Sequence, residues 1–141
     1  MSREEFNVMK KDYTQYAEKK IKALKDLNYN PAFVVPTIKT NQLRNIYALI
    51  SPFFEYFNYG KEPNKEEAIK ILQKAKIKIA YQIGRDNNTS KLGTKNFNKI
   101  TLALDFIDVV LASTTFMEDL KIYCNYFEAL VAYHKFIIEE K

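Results

Sequence analysis

Reactive side chains are scarce in this sequence, and their positions bound the chemistry it can do. One histidine, His134, and one cysteine, Cys124, occur among 141 residues, on the same predicted helix. Their ten-residue separation turns them about 80° apart and sets them about 15 Å apart along the axis, so they cannot meet as a Cys–His nucleophile pair within one chain. No His/Cys cluster has zinc-site spacing, and one His with scattered carboxylates is a poor metal site. Gly60, Gly84 and Gly93 lie far apart, and none opens a phosphate-cradling loop. Asp105 and Asp108 stand at i,i+3 among apolar neighbours with no histidine or third acid beside them. That pair reads as a solvated or inter-subunit face. Glu128 interrupts the apolar run from Tyr126 to Val131, and a partly buried Glu needs a basic partner. A structural ion pair with Arg44 or Arg85 is therefore expected. These residues predict no catalytic group, no metal and no cofactor: the chain does not read as an enzyme.

What the sequence offers instead is positive charge in helical register. Lys70, Lys74 and Lys78 follow one another at i+4, and Tyr81 and Arg85 continue the stripe. The resulting ridge would run about 22 Å at 1.5 Å per residue, long enough to meet several phosphates without reading sequence. Lys76 sits off it. Tyr81 has two readings, stacking on a base or packing against its own protein, and core packing is the expectation. A second basic spot is the turn from Thr37 to Ile46. Its helix N-terminus, with Lys39 and Arg44 nearby, suits a backbone phosphate. As a helix-turn-helix recognition element it fits poorly, because that motif needs a tight turn. About twelve residues with two prolines precede it here.

Charge is unevenly spread. Residues 1–60 carry nine basic and six acidic groups, residues 61–99 ten and four, and residues 100–141 three and seven. The middle third thus exceeds the net charge of the whole chain, +5, while the last third is acidic. That polarity suits one face toward a polyanion and another toward something else. No apolar run approaches membrane-spanning length, no secretory leader is visible, and a lone cysteine fits a reducing compartment. A cytoplasmic location is expected.

The elements that must position these groups read as one all-α domain over residues 1–141. Aromatic residues supply 14% of the chain, ten Tyr and ten Phe with no Trp, and form the bulk of the expected core. Five helical segments are predicted, making a compact five-helix bundle. The first covers about Arg3–Leu27, with apolar positions Phe6, Met9, Tyr13, Ala17, Ile21 and Leu24. After an apolar linker containing Phe33, Val34 and Val35, the second starts at Thr40 as N-cap. Its apolar face is Leu43, Ile46, Tyr47, Ile50, Phe54 and Phe57, with a kink or restart at Ser51-Pro52. The third has Asn64 and Glu67 as a capping box and runs to about Arg85. A polar loop, Asp86–Thr94, leads to the fourth, about Lys95–Ala112, with Phe97, Ile100, Leu104, Ile107 and Leu111 inward. Thr115 and Glu118 form a second capping box for the fifth, Phe116 to about Ile138, with Phe116, Leu120, Tyr123, Phe127, Leu130, Val131 and His134 or Ile137 inward.

Three blocks then resemble, in order and in register, the small subunit of the type III-A CRISPR (Csm) effector complex. They are Thr40-Asn41-Gln42-Leu43-Arg44-Asn45, the helix end Lys76–Asp86 with its Tyr81, Gly84 and Arg85, and the helix Tyr126–Phe136 with Phe-Glu-Ala-Leu-Val-Ala-Tyr-His-Lys. Together they span about residues 37–138; Asn41 departs from the small hydroxyl usual there, and the first forty residues are not covered. The resemblance implies a helical, non-catalytic subunit that contacts the backbone of guide RNA and target RNA. Other subunits of the effector complex would be its partners and would carry the cleavage chemistry. Several copies lined up along the groove would bring self-association. On it, Arg44, Lys78, Arg85 and Lys135 are the expected RNA contacts, and the charge pattern adds Lys39, Lys70 and Lys74. The residues alone leave two alternatives open: a helical DNA-binding regulator and a purely structural adaptor.

Overall fold

The computed structural model describes residues 2–26, 38, 40–58, 64–85 and 93–139; the side chains at 40, 41, 58, 85, 94, 138 and 139 fall outside that description. The linker with Phe33, Val34 and Val35, and Asp86–Leu92 of the polar loop, lie outside it as well. All regular structure among the described residues is helical. Eight α-helices appear among them: α1 (Ser2–Lys11), α2 (Tyr13–Asp26), α3 (Thr40–Ile50), α4 (Pro52–Asn58), α5 (Lys65–Arg85), α6 (Gly93–Thr101), α7 (Ala103–Leu111) and α8 (Phe116–Tyr133). A π-helical turn, His134–Glu139, extends α8. The expected count of five is corrected because three predicted segments are each divided in two.

Each division has a local cause. At Asp12 the side chain accepts the Gln15 N–H (3.2 Å) and the Thr14 hydroxyl (2.9 Å), which makes it the cap of a new helix. At Ser51 the backbone N–H still bonds to Tyr47 O, and Ser51 O accepts from Phe54 as α4 begins at Pro52. Proline has no N–H to give the preceding turn but suits a first helical position. At Leu102 the backbone turns left-handed, φ 59°, a conformation that costs an L-residue about 1–2 kcal/mol. Asn98 spans that break: its carbonyl accepts the Leu102 N–H and its side chain accepts the Leu104 N–H (2.8 Å).

The breaks move single buried positions, while Ala17, Ile21, Leu24 and Ile107 are buried where the spacing puts them. Tyr16 rather than Tyr13 is buried after Asp12, Phe53 rather than Phe54 after Ser51, and Phe106 and Val110 rather than Leu104 and Leu111 after Leu102. Helix α8 is unbroken, and its predicted positions Phe116, Leu120, Tyr123, Phe127, Leu130 and His134 are buried, whereas Val131 and the alternative Ile137 are only partly so. It packs most extensively on α2 and also meets α3, α4 and α7. Around it the rings form two main groups, one about Phe106 and Tyr126 and one about Phe127. Phe6 meets Phe106 edge-on at 5.3 Å, Tyr16 meets Tyr126 at 5.5 Å, and Tyr47 stacks on Phe127 at 6.3 Å. Such pairs add about 0.5–1.5 kcal/mol each beyond the area they bury. Two tyrosines of α8 also repair the break at Leu102. Tyr126 donates to Thr101 O (2.7 Å) and Tyr123 to Ala103 O (2.9 Å), one carbonyl on either side of the left-handed residue.

Candidate nucleic-acid interface

Helix α5 is the element that presents the basic stripe. It starts where Asn64 Oδ1 accepts the Glu67 N–H at 2.8 Å, and Glu66 and Glu67 place negative charge at the positive end of its dipole. Ala68, Leu72, Ala75 and Ile79 bury one side, which fixes the opposite side toward solvent. There Lys70, Lys74 and Lys78 are exposed, and none of the three is in an ion pair among the described residues. Lys76, off the ridge as its spacing requires, is instead bound to Asp108 on α7. The expectation that Tyr81 packs in the core is corrected: its ring is 68% exposed, and Ile77 one turn before it 69%. Both point away from the buried side, each about 160° from Ile79 on the helical wheel.

The remaining basic candidates come from other elements. Arg44 is exposed on α3, which packs against α5, and Lys135 is exposed on the π-helical turn that follows α8. Lys39 and the Arg85 side chain lie outside the described residues.

Glu128 is exposed on α8, not partly buried as its apolar neighbours suggest, and among the described residues no ion pair joins it to Arg44; the Arg85 half of that expectation lies outside them. A carboxylate in water needs no buried partner. The acid that is buried is Asp119, which the sequence pattern did not single out. It accepts Ser113 Oγ at 2.6 Å, Arg3 Nη1 at 2.7 Å and Lys10 Nζ at 3.3 Å. Burial alone would raise its pKa, but the hydrogen bonds from Ser113, Arg3 and Lys10 outweigh that and hold it below the ordinary carboxylate value. A signal for it exists in Ser113-Thr114-Thr115, a cluster of hydroxyls one turn before it. Thr115 does occupy the N-cap position of α8, yet its side chain makes no capping bond and lies 3.5 Å from Asp119 Oδ2. The expected Thr115–Glu118 box is therefore replaced by a Ser113–Asp119 link.

Potentially reactive groups elsewhere are committed or sealed. Cys124 is fully buried, and burial first and the Glu128 charge second push its thiol pKa up, which disfavours the thiolate. His134 is buried, and its Nε2 donates to Ile38 O at 3.1 Å, pinning the segment that leads into α3. Burial raises the phenols of Tyr123 and Tyr126, both engaged with backbone carbonyls. Asp105 and Asp108 are exposed and line, with Ser2, Arg3 and Ser113, an open depression of about 500 Å³. Among the described residues no three His, Cys, Asp or Glu side chains stand where they could share a metal ion. No helix among them is long and apolar enough to cross a membrane.

Comparison with known proteins bears on what such a surface is for. Residues 29–140 match the family model described as Csm2 Type III-A. That span takes in α3 through the π-helical turn, hence the whole basic ridge, and leaves α1 and α2 outside. Over 103 residues the chain is 35% identical to a protein of Enterococcus italicus named "CRISPR system Cms protein Csm2", covering 70% of this chain and 67% of that protein. The chain belongs to the Csm2 family of type III-A CRISPR systems.

Proposed function

We propose that the chain is a non-catalytic small subunit of a type III-A effector complex: one cytoplasmic helical domain that holds the backbone of guide or target RNA without reading its sequence and is built in beside the other subunits. The observation that carries this is the exposed, unneutralised row Lys70, Lys74 and Lys78 on α5. Like charges at i,i+4 repel along a helix, so such a row is a cost to the isolated chain that a polyanion relieves. The row spans about 12 Å, enough for about three phosphates of a single strand. Arg44 adds a cation from the neighbouring helix, and Lys39, Arg85 and Lys135 are the further candidates. Support for the non-catalytic reading is that Cys124 and His134 are each buried, and that Asp108 is bound to Lys76.

Salt-dependent binding of an unstructured RNA tests this. The log–log slope of affinity against salt should fall by about 2 in the Lys70→Ala/Lys74→Ala/Lys78→Ala variant, at about 0.7 per lost phosphate contact. Unrelated RNA sequences should weaken equally, because backbone contacts carry no base information. An unchanged affinity and slope in a folded triple variant refutes the proposal. Sequence-specific duplex DNA binding would favour a regulator, and the absence of any nucleic-acid binding an adaptor.

A further inference from the structure

Two large apolar side chains stand in solvent on the side of α5 that carries the lysine row, Ile77 within the row and Tyr81 just beyond its C-terminal end, and neither helix stability nor phosphate binding accounts for them. At 3.6 residues per turn, Tyr81 projects about 20° to either side of the directions of Lys70 and Lys74 and about 60° from that of Lys78. Ile77 lies one turn N-terminal, about 40° around. Their exposures, 68% and 69%, are among the largest for big hydrophobic residues in the protein. The Tyr81 ring joins none of the aromatic contacts that knit the core among the described residues.

We infer that Tyr81 is a stacking platform for a nucleobase of single-stranded RNA whose phosphates lie along Lys70, Lys74 and Lys78, with Ile77 as an apolar shelf beside the ring. The inference rests on the RNA-binding reading above and deepens it. Charge complementarity selects the occupant: the three ammonium groups, unpaired among the described residues, precede the ring along the same side of α5 with Lys78 nearest, and a strand that puts phosphates on them brings its bases within reach of that side. Base–aromatic stacking tolerates any sequence, since every base has a π-face. A backbone-gripping subunit can therefore gain affinity from Tyr81 without becoming sequence-specific.

The test uses the full chain and two single strands of equal length and charge, an unstructured RNA and an abasic ribose-phosphate oligomer. Affinities are measured by fluorescence anisotropy for wild type, Tyr81→Ala, Tyr81→Phe and Lys74→Ala. Tyr81→Ala should weaken binding to the base-bearing strand by about five- to thirtyfold. It should leave the abasic strand and the salt slope unaltered, and Tyr81→Phe should bind as wild type does. Lys74→Ala should weaken both strands alike. Because the ring is exposed, the melting temperature of Tyr81→Ala should stay at the wild-type value, which separates a lost contact from a lost fold. If Tyr81→Ala leaves both strands unaffected while Lys74→Ala weakens both, stacking is refuted and the basic ridge stands. Stacking is equally refuted if Tyr81→Ala spares RNA but abolishes association with companion subunits, which would make this a protein contact. If wild type binds neither strand, the ridge reading itself fails and takes the stacking with it.

Discussion

Removing Asp119 should loosen the attachment of α1 to the rest of the protein, and the structure allows the size of the effect to be worked out. The carboxylate is fully buried, while Arg3 and Lys10 are 46% and 37% exposed. Hydrogen bonds to a charged group are worth about 1.5–3 kcal/mol when sheltered. The two cations are half in water, so each contact is discounted to about 0.5–1 kcal/mol. With the Ser113 hydroxyl, Asp119→Ala should cost about 2–3 kcal/mol, which for a chain of this size lowers Tm by about 5–12 °C in a circular-dichroism melt. The opposite deletion, Arg3→Ala with Lys10→Ala, should cost more, about 3–5 kcal/mol, because it strands a buried negative charge. Acid adds a second readout. The folded pKa of Asp119 lies below its unfolded value, so the stabilisation is fully present above about pH 4 and is lost as pH falls through the folded pKa. Asp119→Asn should be less stable at neutral pH and should lose that part of the acid sensitivity. If Asp119→Ala melts with wild type, or if deleting the two cations is the milder change, the account of Asp119 as a clamp is refuted.

The break at Leu102 predicts that Tyr126→Phe, which strands the buried Thr101 carbonyl, costs about 1–3 kcal/mol although only an oxygen is lost; a Tm within a degree of wild type would show that the carbonyl finds another donor. Cys124, sealed and with its thiol pKa pushed up, should react with a thiol reagent only as fast as the protein unfolds, and rapid labelling of the native protein would contradict its burial. Glu128→Gln, on an exposed side chain, should shift stability by no more than about 0.5 kcal/mol. A Tm loss above about 5 °C would mean that Arg85 holds it in the structural pair that its apolar neighbours suggest.

Helical periodicity carries most of the fold because burial leaves a three- or four-residue signature wherever a helix is continuous. In α8 it is continuous, and the inward set from Phe116 to His134 is buried except for the half-buried Val131. Elsewhere a uniform spacing runs through breaks that displace single positions, Tyr13 to Tyr16 and Phe54 to Phe53 among them. Asp12 has the sequence mark of a cap, but Leu102 has none: a leucine in left-handed backbone is tolerated only because Asn98, Tyr123 and Tyr126 take up the freed polar groups. That compensation is tertiary and leaves no local trace. The same limit explains the two acids. Glu128 looks buried because its sequence neighbours are apolar, yet its direction on α8 is outward; Asp119 looks like an ordinary first-turn acid, and only the approach of α1 makes it a buried one. Residue type alone assigns Tyr81 inward, whereas Ala75 and Ile79 already fix the buried side of α5 and leave the ring outside.

The distribution of charge takes on a different meaning once the chain is folded. Residues 100–141 carry an excess of acid in sequence, which suggests a negative face opposed to the basic one. Folding commits two of those acids internally: Asp119 to Arg3 and Lys10, Asp108 to Lys76. The N-terminal helices, which lie outside the stretch matched to the family, are thereby tied to α8, and Phe6 and Tyr16 join its aromatic cluster through Phe106 and Tyr126. The cations drawn into these pairs are Arg3 and Lys10 of α1 and Lys76, which lies off the ridge. Lys70, Lys74 and Lys78 are left with no carboxylate paired to them among the described residues. On the proposed RNA-binding reading this arrangement has a physical consequence: every internal pair on that row would have to be broken before a strand of phosphates could bind, so a row without such pairs binds at lower cost.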